Sequence, residues 1–340
     1  MIRLPDFELR MPRTVEEAAA WLAERPQETM LLSGGTDLLP NMKRRQQVPR
    51  TVVALRPLAA LQAIETRDGF RLGSAVTLTR IVRHETLRAQ ARGLWQAAAQ
   101  VATPQLRNMG TIGGNLCLDT RCTYYDQSYE WRKAINFCMK KDGEICWVAT
   151  SSPRCLAVSS TDTAPMLQAL GASVRLVSAG GERTVAVADL YQNDGMQYLT
   201  RRPDEILTDV IVPDASGWRS TYWKLRRRGS FDFPVASAAV AARLADAGEV
   251  DCVRIVLGAV ASRPMAAPRA EALLAGRRLT DEAIAEASDA AYDVAKPMDN
   301  TDYELVWRKK MVRALVTHAL REVRGDDVRQ ARLTLARQIL

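Results

Sequence analysis

Four of the six cysteines, Cys122, Cys138, Cys146 and Cys155, fall within residues 122–155 of this 340-residue chain. Four thiolates on one irregular segment are the donor set of a tetrahedral zinc or of an iron–sulfur cluster. Their spacing, C-x15-C-x7-C-x8-C, is neither a zinc-ribbon nor a ferredoxin pattern, because those bring ligands in close pairs. A centre held this way needs a loop that wraps it. Thiols packed in a core without metal would leave the same four letters. The segment also carries Tyr124, Tyr125, Tyr129, Trp131, Phe137 and Trp147, rings able to keep water from a centre. Lys133, Lys140 and Lys141 could offset thiolate charge. Cys117 and Cys252 stand apart and are expected to be packed thiols.

The cysteine segment lies between Thr111-Ile112-Gly113-Gly114-Asn115 and Ser160-Thr161-Asp162-Thr163-Ala164-Pro165, stretches that look like parts of one nucleotide site. An earlier turn, Ser33-Gly34-Gly35-Thr36, follows the apolar run Met30-Leu31-Leu32. Glycine lets a backbone approach a ligand closely, and successive N–H groups in such a turn cradle an anion such as pyrophosphate. The hydroxyls of Ser33 and Thr36 could donate to the same oxygens. Asn115 could bond a ligand or take left-handed backbone. Neither turn is G-x-G-x-x-G and no Walker A sequence is present, so a nucleotide site of another fold is needed. A metal centre anchored at a nucleotide site suggests electron transfer between the two. Asp162 could serve the ligand or cap the helix at Ala164, and Lys224 could be an ordinary exposed strand lysine. The two histidines, His84 and His318, are far apart, and no hydrolytic Ser/His/Asp or carboxylate pair stands out.

The elements that must position these residues fall into three units. Residues 1–57 predict a small α/β unit: Thr14 caps an amphipathic helix from Val15, and strands run over Met30–Leu32 and Thr51–Leu55. Residues 58–217 predict a larger unit with the cysteine insertion at about 117–158. Its expected elements are a strand over Phe70–Thr77, a helix from Thr79 to Leu87, an Ala-rich helix over Gly93–Thr103 stopped by Pro104, a helix over Ala164–Leu170, and strands over Ser173–Val177 and Ile206–Val212. Gly180-Gly181 signals a hairpin. Residues 218–323 predict antiparallel strands over Thr221–Leu225, Ala236–Arg243 and Cys252–Ala261, then helices over Ala266–Ala275, Asp281–Ala295 and Thr301–Arg321. Residues 324–340 form a charged tail with a weak helical pattern. Strands followed by helices make the class α+β.

Composition is that of a globular chain, 47% hydrophobic and 25% charged. No run of about 18 apolar residues argues for a membrane span. The N-terminus lacks a secretory pattern, so a cytoplasmic protein with reduced thiols is expected. Net charge is +8 with a pI near 9.3. The basic runs Lys43-Arg44-Arg45, Arg226-Arg227-Arg228 and Arg308-Lys309-Lys310 are dispersed and no nucleic-acid motif accompanies them. A solvated basic surface, an acidic protein partner or a phosphate-bearing ligand fits that charge.

Leu31–Leu38, Arg107–Asn115, Asp162–Pro165 and Trp223–Arg228, in this order, resemble the FAD-binding medium subunit of the molybdenum hydroxylase family, which includes xanthine dehydrogenase and carbon monoxide dehydrogenase. The resemblance runs from about residue 3 to 321. It implies a two-subdomain FAD-binding fold of the vanillyl-alcohol-oxidase/PCMH type plus a C-terminal domain of antiparallel sheet and helices. It implies that Leu31, Leu32, Ser33, Gly34, Gly35, Thr36, Asp37 and Leu38 form the first pyrophosphate turn. Gly110, Thr111, Gly113, Gly114, Asn115 and Leu118 would form the second. Asp162 would lie on the ribose side, Lys224 near the isoalloxazine, and Leu207 and Val101 beside the flavin ring. No residue of this chain would act on substrate directly.

Most of the family has a short link between the second turn and the aspartate, whereas here it runs from Leu116 to Thr161. Within the family, that insertion is similar to the one in the medium subunit of 4-hydroxybenzoyl-CoA reductase, where four cysteines bind a [4Fe–4S] cluster. The resemblance therefore implies a cluster at Cys122, Cys138, Cys146 and Cys155, electrons from ferredoxin, a small [2Fe–2S] subunit and a large molybdenum-cofactor subunit in a dimer of heterotrimers. Two other readings stay open: a hydroxylase flavin subunit passing electrons to NAD or a quinone, and a zinc-stapled scaffold without flavin.

Overall fold

The computed structural model describes residues 3–229 and 231–336. The tail expectation therefore falls partly outside the described residues, at 337–340. Strands β1 (Glu8–Arg10), β2 (Thr29–Leu32) and β3 (Thr51–Ala54) form a parallel sheet in the order β1-β3-β2. The helix Val15–Glu24 crosses between the first two strands. Thr14 Oγ1 accepts from Glu17 N at 3.1 Å to start it. Its spacing puts Ala18, Ala19 and Leu22 on one face, against Val53, Leu55 and Leu58.

The central sheet holds β4 (Ile64–Glu65), β5 (Gly69–Gly73), β6 (Ser173–Ser178), β7 (Gly181–Ala186) and β8 (Ile206–Pro213), antiparallel in the order β4-β5-β8-β6-β7. Alternation along β6 sends Val174 and Leu176 into the core and Arg175 outward. On the outer face Arg71 of β5 and Arg175 of β6 both donate to Asp209 of β8, each at 2.8 Å, which ties three neighbouring strands.

The third sheet, β9 (Trp218–Leu225), β10 (Ala236–Leu244), β11 (Val250–Gly258) and β12 (Met265–Ala266), is antiparallel in the order β12-β11-β10-β9. Helices Pro268–Leu274, Asp281–Val294 and Leu305–Arg324 cover one face. Helices Arg92–Ala99 and Thr163–Ala169 of the preceding unit cover the other. Strand β10 is therefore buried on both sides, which is why it is a near-continuous Ala/Val run. This double burial makes β9, with Tyr222 and Lys224, an internal wall shared by two units.

Three local expectations change, and the weak helical pattern of the tail is a helix. The strand from Phe70 ends at Gly73, where a Cβ would collide with the Leu61 carbonyl. The expected helix from Thr79 to Leu87 is two, Leu78–Arg83 capped by Thr77 and Glu85–Gln90 capped by the His84 ring. The Ala-rich helix ends at Ala99. Pro104 begins the next short helix rather than stopping this one, with Thr103 as its cap, since a first-turn proline loses no internal bond. The tail forms a helix, Arg329–Ala336.

Candidate cofactor site and cysteine pocket

A cavity of about 1050 Å³ opens where the parallel sheet meets the central sheet. Ser33, Gly34, Gly35, Thr36, Asp37 and Leu38 line one side, and Gly110, Thr111, Gly113, Gly114 and Asn115 the other. The two turns touch. A Cβ on Gly34 would collide with the Met109 carbonyl, and one on Gly113 would sit 2.6 Å from Ser74 Cβ. Gly35 has φ 72°, a left-handed backbone that favours glycine. Ser33 Oγ and Thr111 Oγ1 share a hydrogen bond of 2.9 Å across the cleft, and Thr111 Oγ1 also accepts from Gly114 N at 3.1 Å. The first turn is bound to the second by the same hydroxyls that face the cavity.

Asn115 fastens the second turn to the third motif. Its Oδ1 accepts from Thr161 Oγ1 at 2.8 Å, Thr163 Oγ1 at 2.7 Å and Thr163 N at 3.1 Å. Asp162 holds the N-cap position of its helix but makes no cap bond. Its carboxylate instead accepts from Tyr222 Oη at 2.8 Å and Lys224 Nζ at 3.0 Å, and Lys224 also donates to the Gln100 carbonyl at 3.0 Å. The cap and exposed-lysine readings are both overturned: the Lys224 side chain is 0% exposed. Burial pushes the Asp162 carboxyl up and the Lys224 ammonium down, while each partner opposes the other's shift.

Leu31, Val101, Leu118, Asp162 and Leu207 also line the cavity. Val101 comes from a turn in which Ala102 takes φ 43°, and Arg107 donates to both of their carbonyls at 2.8 and 3.2 Å. Two expected residues do not reach the wall. Leu32 packs instead against the small core around Leu38, Met42 and Val52. Lys224 stands one layer behind Asp162.

Sequence reading missed Arg121, Tyr198, Arg201, Phe231 and Phe233, all on the wall. They sit on loops far apart in sequence with no motif of their own. Arg228 also lines the wall, and only its basic run gave a signal. Arg121 pairs with Asp37, donates to Asp126 at 3.2 Å and lies over the Phe233 ring at 4.6 Å. Burial pushes the Asp37 carboxyl up, against the pull of this guanidinium.

The four clustered cysteines are free and buried, between 4 and 6% exposed. Cys122, Cys138 and Cys155 share an apolar pocket with Tyr125 and Ala157, and Tyr124, Met139, Trp147 and Val148 pack against it. Burial, then the thiols of Cys155 and Cys138, pushes the Cys122 thiol up to about 12. Burial, then Cys146 and Cys138 against the pull of Lys140, pushes the Cys155 thiol to about 11. Cys155 is thus within electrostatic reach of the other three thiols, and a cationic centre would oppose the upward shifts of Cys122 and Cys155. Among the described residues no three His, Cys, Asp or Glu side chains stand close enough together to hold a metal ion. Four buried cysteines on one wrapped segment are a donor set that an iron–sulfur cluster would use. Tyr129 and Trp131, expected as shields, are instead 43 and 39% exposed. Cys117 and Cys252 are half-buried and free, and Cys117 also touches the cavity.

Two touching glycine turns, a buried aspartate and a cavity above the usual 300–1,000 Å³ of small-molecule sites suit a dinucleotide. Fold and site define a flavin-binding subunit of an oxidoreductase. The chain belongs to the FAD-binding medium subunits of the molybdenum hydroxylase and CO dehydrogenase family. Residues 5–215 match the FAD binding domain in molybdopterin dehydrogenase, and residues 220–323 the CO dehydrogenase flavoprotein C-terminal domain. The nicotinate dehydrogenase FAD-subunit of Eubacterium barkeri is 28% identical over 92% of this chain and 94% of that protein. The carbon monoxide dehydrogenase medium chain of Afipia carboxidovorans is 27% identical over 94% of this chain and 97% of that one. In a crystal structure of the Cu,Mo-CO dehydrogenase in its cyanide-inactivated form, the matching chain superposes with a TM-score of 0.78 at 26% identity, over 95% of this chain and 99% of that one. The chain binds FAD as an oxidoreductase subunit, and among the described residues no helix is long and apolar enough to cross a membrane.

Proposed function

We propose that this chain is the FAD- and [4Fe–4S]-binding electron-transfer subunit of a molybdenum-containing 4-hydroxybenzoyl-CoA reductase. The observation that carries the proposal is the insertion whose four cysteines are all buried, three of them, Cys122, Cys138 and Cys155, in one apolar pocket. The glycine turns at 33–36 and 110–115 would hold the pyrophosphate. Asp162 would take the ribose side, with Lys224 fixing it from behind, and Val101 and Leu207 would border the flavin ring. Cys122, Cys138, Cys146 and Cys155 would ligate the cluster.

Reduced ferredoxin would deliver single electrons to the cysteine centre, and FAD would collect them as a pair. The pair would leave through [2Fe–2S] clusters on a small subunit to a molybdenum cofactor on a large subunit. There, with two protons, 4-hydroxybenzoyl-CoA would lose its phenolic hydroxyl as water and give benzoyl-CoA. This chain would do no chemistry on the substrate; it would hold two redox centres and set their potentials. A net charge of +8 suits an acidic ferredoxin. The complex would be a cytoplasmic dimer of heterotrimers.

A second reading is supported by the relatives, which are named as dehydrogenases. In it FAD would pass electrons outward, to NAD or a quinone, and the insertion would be structural.

The test is the iron, acid-labile sulfide and flavin content of anaerobically purified protein, with an EPR spectrum after dithionite. The reductase reading expects one FAD, iron and sulfide in equal amounts at a cubane's stoichiometry, and a reduced-cluster signal that Cys122→Ser removes. FAD without iron would leave the outward-flow hydroxylase.

A further inference from the structure

Between the thiol pocket and the FAD cavity the structure has one buried ion pair. Lys140 belongs to the cysteine insertion and lies two residues after Cys138. Its Nζ donates to Asp119 Oδ1 at 2.8 Å, Thr120 Oγ1 at 2.6 Å and the Gly195 carbonyl at 2.6 Å. The two side chains are 6 and 7% exposed. The ammonium also lies 4.9 Å from the Tyr125 ring, in the thiol pocket, and 5.5 Å from the Tyr198 ring, on the cavity wall.

Asp119 is on the cavity wall. Besides Lys140 it accepts from Tyr125 Oη at 3.0 Å and Gln47 at 3.3 Å, and its N–H donates to Asp37 in the first glycine turn at 3.3 Å. On the other side, a Cβ added to Gly195, whose carbonyl Lys140 holds, would stand 2.8 Å from Cys155 Sγ. The pair therefore bridges the two sites, with Asp119 on the cavity wall and Lys140 two residues from Cys138 and bonded to the Gly195 carbonyl beside Cys155.

Burying such a pair costs desolvation, and hydrophobic residues of like volume would often do as well for stability. Screening by water is weak there, so each charge acts on whatever charge the neighbouring site gains. Net charge and burial are main determinants of a cluster's potential.

We propose that Lys140 is a positioning residue for electron transfer: pinned by Asp119, it sets the reduction potential of the cysteine-bound centre relative to FAD. The inference rests on the [4Fe–4S] reading above. A fixed cation favours the state with one more electron, so Lys140 holds the cluster's potential up where a donor can reduce it. Asp119, nearer the cavity, holds the flavin's potential down.

The test is a redox titration of the whole anaerobic protein, with the cluster followed by EPR and the flavin by visible absorbance. Lys140→Met should shift the reduced-to-oxidised ratio of the cluster at least tenfold toward oxidised at a given potential, about 59 mV for one electron. The flavin should shift the same way by less. Asp119→Asn should shift both toward reduced, the flavin more. Lys140→Arg, which keeps the charge, should stay near wild type. A merely structural role predicts no such opposite, graded shifts. Unmoved potentials in Lys140→Met with iron and flavin retained would overturn the inference. If that variant loses its cluster, Asp119→Asn decides: a flavin that does not shift toward reduced sinks it. Wild-type protein with FAD but no iron removes the cluster reading itself, and this inference with it.

Discussion

Lys224 and Asp162, 62 residues apart in sequence, form a sealed ion pair at 3.0 Å directly behind the cavity wall. Tyr222, on the same strand as Lys224, holds the other carboxylate oxygen at 2.8 Å. The C-terminal sheet therefore fixes the one acidic side chain that the third motif presents to the cavity. Breaking such a pair from one side costs about 3–5 kcal/mol, because the remaining charge is buried alone. Lys224→Met should lower the melting temperature and weaken FAD binding at least tenfold, read by flavin fluorescence on dilution. Adding Asp162→Asn should recover much of the stability but not the affinity. If the double variant is as unstable as the sum of the singles, the pair is not the coupled unit described.

The glycine turns make a graded prediction. Gly34→Ala must force the Met109 carbonyl back, and Gly113→Ala must displace Ser74. Both should purify with little flavin. Gly180→Ala, in the β6–β7 hairpin, meets nothing nearer than Ser178 Oγ at 3.8 Å and should keep full flavin content. Equal flavin in all three would mean the turns do not need their close approach.

On the proposed cluster reading, serine replacements at Cys122, Cys138, Cys146 and Cys155 should each abolish the reduced-cluster EPR signal while leaving flavin absorbance in place. Serine at Cys117 or Cys252 should leave iron content unchanged. Iron that survives every one of the four single replacements would place the metal elsewhere.

Acid should unfold the chain through a few carboxylates. Burial pushes Asp209, Glu205 and Glu322 up, but hydrogen bonds and neighbouring guanidinium groups outweigh it and leave all three below their ordinary values. A lowered folded pKa stabilises the native state above the unfolded value and loses that stabilisation as pH falls through the folded one. The stabilisation these three groups supply should therefore stay whole from neutral pH down to about pH 4.5, the ordinary glutamate value, and be lost below it, read as a steep fall in melting temperature there. Asp209→Asn should be less stable at pH 7 and show a shallower acid decline. An unchanged acid slope would remove Asp209 from the account.

The tail helix Arg329–Ala336 lies beyond the matched C-terminal domain. Arg332 reaches inward to Glu322 at 2.5 Å and Thr221 Oγ1 at 2.8 Å, over the Trp223 ring at 4.2 Å. Arg332→Ala should lower the melting temperature by about 1–2 °C, the scale of 1 kcal/mol in a chain of this size. No change on calorimetry would make the helix a loose appendage.

Much of this was legible along the chain. The turns at 33–36 and 110–115 are local: glycine is required wherever backbone meets backbone or a ligand, and the spacing of apolar residues gave the long helices and β6. Where proline, caps and strand ends competed, the reading slipped, as at Pro104 and Thr77. A first-turn proline and a breaking proline are the same letter, and only the preceding cap at Thr103 separates them.

The chain by itself determined the order of the motifs and the four-thiol set. Tertiary structure alone decided that Asp162 is not a helix cap, that Lys224 is buried, that Leu32 packs against the small core, and that Arg121, Tyr198 and Phe233 share the wall. The physical reason is the reach of each cause. Turn geometry and periodicity act over a few residues and leave a mark in the letters. Burial, pairing of distant charges and the meeting of loops depend on which sheet stacks on which helix. That outcome depends on the packing of all three units and is carried by no single segment.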